Sequence, residues 1–198
     1  MEMDKQGSKP TGFIGKIIGR LMNKLQTSLY IEYFMHDLPP DNSKILDIGC
    51  GGGKFLKFLS ETNDSYLLFG LDHSPAMIEL SKKVNRKAID RNSLTVIQGS
   101  MPELPLEDTL LDFVTAFETV QFWPNLEKSF SEIRRVLKNS GSFLIINRYP
   151  TVGSKWWKLV KIKSDQEYIR LFKNAGFSEV TIDLDFKKGW IIVKAVKD

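Results

Sequence analysis

Ile45-Leu-Asp-Ile-Gly-Cys-Gly-Gly-Gly53 is the stretch on which the reading of this chain turns. It opens as a short apolar run of the kind a buried strand makes, and Lys44 to Ile48 is expected to be that strand. It then passes through four glycines in five positions (Gly49, Gly51, Gly52, Gly53) into Lys54 to Ser60, which reads as a helix. Glycine permits a tight strand-to-helix turn and leaves no side chain between the backbone and a ligand. The N-terminus of the following helix offers N–H groups and the positive end of a dipole. A bare turn needs fewer glycines than this, so the stretch is read as a ligand-binding turn.

Working outward, the next apolar run is Tyr66 to Leu71, closed by Gly70-Leu-Asp72. Asp72 lies 23 residues beyond Gly49. An acidic residue about 20 residues past such a turn, at the tip of the neighbouring strand, can accept hydrogen bonds from ribose hydroxyls. A helix from Pro75 to about Asn85 is expected, with Ser74 as its N-cap. Strands are expected at Leu94 to Gln98, Leu111 to Phe117 and Phe143 to Asn147. Between the last two, Leu126 to Leu137 reads as a helix closed by Lys138-Asn-Ser-Gly141. Ser164-Asp-Gln-Glu167 has capping-box spacing and should open a helix ending at Ala175 and Gly176. Strands near Glu179 to Leu184 and Trp190 to Val196 flank a short Lys187-Lys-Gly189 turn, so they should pair antiparallel. Near-continuous apolar strands separated by helices imply an α/β fold. Its sheet should have seven strands, mostly parallel with an antiparallel C-terminal strand, and helices on both faces.

The choice of adenosine ligand rests on spacing. The dinucleotide fingerprint is G-x-G-x-x-G. Here the pattern is G-x-G-x-G, with Lys54 or Leu56 where the third glycine would fall. A nicotinamide-dependent oxidoreductase is therefore disfavoured.

With these stretches in hand, the sequence resembles the class I methyltransferases that use S-adenosylmethionine, of the small-molecule type. Ile45 to Phe55 resembles their first motif and Gly70-Leu-Asp-His-Ser-Pro-Ala-Met77 their second. Gln98-Gly-Ser-Met-Pro-Glu-Leu-Pro105 is similar to the loop after their third strand. Leu111 to Phe117 is similar to their fourth strand, and Leu137 to Ile145 to the turn into their fifth. The resemblance covers about residues 40 to 198 and implies a Rossmann-like, doubly wound sheet. By position it implies that Asp47, Gly49, Cys50, Gly51 and Gly53 hold the methionine part of the cofactor and Asp72 the ribose. His73, Met77, Ser100 and Met101 would border the adenine, with Glu118 near the sulfonium end. The family often has an acidic residue where Ser100 stands. No metal site is expected.

The remaining features bound the reading. The chain has 198 residues, 42% hydrophobic and 26% charged, as in ordinary globular proteins. Its single cysteine excludes an internal disulfide. No apolar run reaches the ~20 residues that span a bilayer, and Glu2 and Asp4 spoil a signal peptide, so a cytoplasmic protein is expected. Residues 1–11 read as a flexible tail and 12–198 as one methyltransferase domain. Within it, 12–38 form a helical cap, 39–147 the cofactor-binding core, and 148–198 a basic cover segment with the C-terminal hairpin. From Arg148 onward there are eleven Lys/Arg against six Asp/Glu, which holds the whole basic excess of a chain with net charge +4.

A general base is harder to find. Glu118, His36 and Tyr30 are weak candidates; Tyr30 and Tyr33 could instead close over the cofactor or simply pack. Glu118-Thr-Val-Gln-Phe-Trp-Pro-Asn125 lacks the Asp/Asn-Pro-Pro-aromatic signature of nucleic-acid amino-methyltransferases. Tyr149 to Lys163 interleaves aromatics with lysines. It can be a stacking and phosphate-tracking surface, a membrane-surface face, or a cover lining a pocket with Trp156 and Trp157. The expected acceptor is a small molecule whose O, N, C or S atom takes the methyl group, with the N-terminal helices and 148–163 forming its pocket. Two alternatives stay open: an RNA or protein methyltransferase, and a non-catalytic protein that binds S-adenosylmethionine or S-adenosylhomocysteine. Oligomeric state is not legible.

Overall fold

The computed structural model describes residues 30–35, 38–185 and 189–198, apart from the Lys155 side chain. The expected tail 1–11, most of the helical cap, His36 and the 186–188 part of the hairpin turn lie outside them. The described chain divides into two compact units, one ending at Ser100 and one beginning at Met101. Its seven strands make the mixed, mostly parallel sheet of a Rossmann-like α/β fold.

In the first unit, β1 (Lys44–Ile48), β2 (Leu67–Asp72) and β3 (Leu94–Gln98) run parallel, in the order β3-β2-β1. The register sets Asp47 beside Gly70 and Asp72 beside Gln98. Helix α1 (Lys54–Thr62) follows the glycine turn and packs on β2 through Phe55, Leu56 and Leu59. Helix α2 (Pro75–Val84) packs on α1, β2 and β3, burying Met77, Ile78 and Leu80. Residues 30–34 are helical, and the buried Phe34 meets Phe55 edge-on at 5.2 Å between ring centres.

Two expectations hold here, each with an addition. Ser74 occupies the N-cap of α2, but its side chain makes no capping bond. Ser74's own N–H donates to the Asp72 carboxylate at 2.8 Å. The helix ends where expected, at Val84 with Asn85 as its C-cap. A short helix α3 (Arg86–Asp90) continues beyond it. Asn85 breaks the run because its side chain donates to the Ser81 carbonyl at 2.9 Å and to the Gly53 carbonyl at 2.8 Å. Such local side-chain-to-backbone bonding competes with regular helix.

In the second unit the strand order is β4-β5-β7-β6, with β4 (Leu111–Phe117), β5 (Leu137–Arg148), β6 (Glu179–Asp185) and β7 (Trp190–Val196). β4 and β5 are parallel; β7 runs antiparallel to both β5 and β6. Helix α4 (Leu126–Val136) is capped by the Asn125 side chain, which accepts from the Lys128 N–H at 2.9 Å. A short helix α5 (Lys155–Leu159) precedes α6 (Asp165–Asn174). The capping box at α6 forms: Ser164 Oγ accepts from the Glu167 N–H at 3.2 Å. Glu167 reaches one residue further back than in the standard box, accepting from the Lys163 N–H at 2.6 Å. At the other end Gly176 has φ +88°, and the Gly176 and Phe177 N–H groups donate to the Lys173 and Phe172 carbonyls. That is a Schellman closure, which needs the left-handed residue that glycine supplies.

Lys138-Asn-Ser-Gly141 needs correction. It does not merely close α4; it lies within β5 as a bulge. Leu137 pairs with Leu111, and the register then jumps so that Ser142 pairs with Phe113. Ser140 takes φ +63° to allow it. Extra residues absorbed in a ladder in this way bend the strand without ending it.

The core of this unit is an aromatic cluster. Phe172 lies 4.8 Å from Phe130, 5.5 Å from Phe143 and 5.1 Å from Phe177, centre to centre, and is fully buried. Phe172→Ala should therefore cost about 3–5 kcal/mol, the range for emptying a packed aromatic site. Urea denaturation checks this; a cost near zero would show that the cluster does not carry the unit's stability.

Candidate functional site

The glycine turn is held at both ends by backbone bonds. The Gly49 and Cys50 N–H groups both donate to the Leu71 carbonyl, at 2.7 and 3.0 Å. The Gly53 N–H donates to the Cys50 carbonyl. Gly49, Gly51 and Gly53 all take positive φ (75°, 52° and 74°), a region costly for residues with a Cβ. The two inner glycines serve different ends. A Cβ on Gly51 would face open space. A Cβ on Gly53 would fall 2.2 Å from Ser81 Oγ and 2.4 Å from Asn85 Nδ2. Gly51 thus keeps the turn open outward, while Gly53 lets α1 and α2 approach each other.

Asp72 is the polar centre of this unit. It is 7% exposed, at the C-terminal tip of β2. One carboxylate oxygen accepts from the Gly51 N–H at 2.9 Å and the other from the Ser74 N–H at 2.8 Å. Burial raises its pKa above the ordinary aspartate value; the two N–H donors, and the neighbouring His73, pull it partly back. His73 is 3.8 Å from the carboxylate and its side chain is 40% exposed. Asp47 and Met77 are buried, and Ser100 is exposed.

Cys50 sits differently from its glycine neighbours. Its side chain is buried, and its sulfur lies 3.0 Å from where a Gly70 Cβ would be. The thiol therefore packs against β2, and only the Cys50 backbone faces the turn's bonding pattern. Burial and the nearby Asp72 and Asp47 charges raise the thiol pKa well above its ordinary value.

The second unit carries the other positions. Met101 is buried. Glu118 follows β4 directly in the left-handed region (φ +53°), and only 7% of its side chain is exposed. It is ion-paired with Arg148 at 2.8 Å. Arg148 also lies over the Trp190 ring at 3.7 Å and over the Trp156 ring at 4.9 Å. Gln121 donates to the Glu118 carbonyl, and its own side-chain oxygen is buried without a hydrogen-bond partner. Arg148 was not among the residues singled out from the sequence. Its signal was present: Glu118 and Arg148 both end parallel neighbouring strands, and such ends lie side by side. Tyr30 is buried at 7% exposure and Tyr33 half-buried, in the helical residues of the first unit.

A family described as "Methyltransferase domain" matches residues 46–145, half of the chain. The chain is also 32% identical over 198 aligned positions to the ubiquinone/menaquinone biosynthesis C-methyltransferase UbiE of Rickettsia massiliae. That alignment covers 81% of this chain and 80% of the relative. The chain belongs to the class I S-adenosylmethionine-dependent methyltransferases. It is 28% identical over 157 positions to 2-methyl-6-phytyl-1,4-hydroquinone methyltransferase 1, chloroplastic, of Oryza sativa subsp. japonica. This covers 76% of the chain but 44% of the relative, so the chain spans less than half the length of that plant enzyme. Among solved structures, geranyl diphosphate C-methyltransferase from Streptomyces coelicolor A3(2) matches with a TM-score of 0.72 and 18% identity. It covers 86% of this chain and 77% of that one, and was solved with Mg2+, geranyl diphosphate and S-adenosyl-L-homocysteine. At that identity the likeness is one of fold.

The two inner glycines of this methyltransferase chain should respond differently to a methyl group. Gly51→Ala should cost only the about 1–2 kcal/mol of a left-handed residue. Gly53→Ala should cost clearly more, because its Cβ also meets Ser81 and Asn85. Equal losses in chemical denaturation would refute the packing role of Gly53.

Proposed function

We propose that this protein transfers a methyl group from S-adenosylmethionine to a small-molecule acceptor, and that the acceptor is a ring carbon of a quinol-type compound. The observation that carries the cofactor part is the coupling of Asp72 to the glycine turn. A buried carboxylate at the tip of β2 stands beside a left-handed glycine whose outward side is open. Each carboxylate oxygen accepts one backbone N–H. A carboxylate has about four acceptor sites in all, so capacity is left for ribose hydroxyls. The open side of Gly51 suits the close approach of the methionine part of the ligand. The acceptor class is supported by the relatives' names, both of which are quinone- or hydroquinone-pathway methyltransferases.

In this reading Asp47, Gly49, Gly51, Gly53 and the Cys50 backbone line the methionine end, and Asp72 binds the ribose. His73, Met77 and Ser100 border the adenine. Met101 and Glu118, in the second unit, take their roles from the motif resemblance alone. When bound, S-adenosylmethionine supplies the electrophilic methyl group. The chain contributes binding and orientation, which in aligned model systems are worth on the order of 7–11 kcal/mol. Glu118 is ion-paired with Arg148, which holds its side chain in place. Among the described residues no helix is long and apolar enough to cross a membrane. We place the protein in the cytoplasm and read residues 12–198 as one functional domain.

Calorimetry should show binding of S-adenosylmethionine and S-adenosylhomocysteine and none of NAD. No heat with either adenosyl ligand, in folded protein, would sink the proposal. Asp72→Ala should weaken that binding at least about tenfold, since hydrogen bonds to a charged group are worth about 1.5–3 kcal/mol each. The pH dependence follows from the raised Asp72 pKa. The carboxylate accepts from hydroxyls; its protonated form accepts less well. Affinity should therefore fall as pH drops, beginning above the ordinary aspartate range, and Asp72→Ala should remove that dependence. A pH-independent affinity in the unaltered protein would refute the ribose assignment.

A further inference from the structure

We propose that Tyr149 to Lys163, together with Phe122, forms a docking surface for an anionic lipid bilayer. The proposal rests on the reading that the acceptor is a quinol-type molecule; one of the relatives is named for a phytyl-bearing one. The surface is defined by which side chains the second unit leaves in solvent. Val152 is 77% exposed, Leu159 47% and Phe122 48%. No other large hydrophobic side chain of this unit, among the described residues, is exposed. Phe122 belongs with the other two: Lys161 Nζ donates to the carbonyl of Trp123, tying the 120–123 turn to this segment.

The charge of the same segment says what covers it. Tyr149 to Lys163 holds four lysines (Lys155, Lys158, Lys161, Lys163) and no acidic residue. Lys161 and Lys163 are fastened to backbone carbonyls, and Lys158 is exposed. Trp156 and Trp157 are half-buried beside them. Exposed aliphatic and aromatic side chains, in a segment that interleaves lysine and tryptophan, match the composition of a face that lies in a membrane interface. The positive charge complements anionic headgroups, at roughly 1 kcal/mol per basic residue near the surface.

The geometry favours a bilayer over a nucleic acid. Stacking platforms need free aromatic faces. Here Arg148 sits over Trp156 at 4.9 Å, and Lys163 sits over Trp157 at 5.2 Å. What the surface presents outward is Val152, Leu159 and Phe122, two aliphatic side chains and one aromatic, which suit acyl chains better than a run of stacked bases. A peripheral contact of this kind would bring a lipid-borne quinol to the protein.

Vesicle sedimentation tests the surface. The full chain should pellet with vesicles containing phosphatidylglycerol and much less with pure phosphatidylcholine, with binding that declines as salt rises. Tryptophan emission should shift to the blue on binding. Val152→Asp with Leu159→Asp should abolish binding, and Lys158→Ala should weaken it about five-fold. Melting temperature and S-adenosylhomocysteine affinity should be unchanged in these variants. No binding to anionic vesicles, binding indifferent to the substitutions, or salt-sensitive binding of single-stranded RNA in place of vesicles would each overturn the proposal. S-adenosylhomocysteine binding without vesicle binding would remove this surface and leave the methyltransferase reading standing. Vesicle binding without S-adenosylhomocysteine binding would do the reverse.

Discussion

The first unit is organised around one buried carboxylate. Asp72 takes an N–H from the glycine turn on one oxygen and an N–H from the start of α2 on the other. Two loops that follow different strands are thereby referred to a single rigid point. The arrangement is costly, because burial disfavours the charge and raises the pKa. It persists because charge-assisted bonds to backbone N–H groups offset that cost. A carboxylate held this way is pre-oriented for further donors, which lowers the ordering cost of a ligand that brings hydroxyls to it.

Around that point the packing divides labour among small residues. Gly53 allows α1 to meet Ser81 and Asn85 of the α2 region, and Asn85 returns a hydrogen bond to the Gly53 carbonyl. Gly51 stays open outward. Cys50 fills the space against β2. The second unit shows a comparable economy with larger groups. Arg148 neutralises Glu118, covers the Trp190 ring and touches Trp156, so one guanidinium connects the ends of β4, β5 and β7 with α5. Arginine suits this because its planar head can pair through an edge and stack through a face. Lys197 does analogous work at the base of α4. Its ammonium, 7% exposed as a residue, donates to the Arg134 and Leu137 carbonyls that end the helix.

Much of the architecture was legible because its signals are local. β1, β3, β4 and β7 lie where the apolar runs placed them, and the Ser164 cap and Gly176 closure of α6 follow from three or four neighbouring residues. What the local signals left out has a common cause in non-local pairing. Lys138 to Gly141 looks like a helix exit, but the ladder with β4 draws it into β5 as a bulge. Ser74 stands at the N-cap as its type suggests, but its side chain makes no capping bond, and its own N–H donates to Asp72. Asn85 does end α2, and its bond to Gly53, 32 residues away, makes it a joint to the short α3 that the local pattern did not suggest.

The site divides along the same line. The sequence alone determined the glycine turn and its resemblance to the family's first motif: the strand, the glycine spacing and the acid 23 residues on are short-range patterns that backbone sterics and hydrogen-bond geometry enforce. Only the tertiary structure decided what those residues do to one another. It showed Asp72 bridging Gly51 and Ser74, Cys50 turned into the core, and Glu118 neutralised by Arg148. It also showed which side chains of the basic segment remain in solvent. The reason is physical: burial and ion pairing depend on partners far apart in the chain, and a side chain's charge or exposure takes its meaning only once those partners are in place.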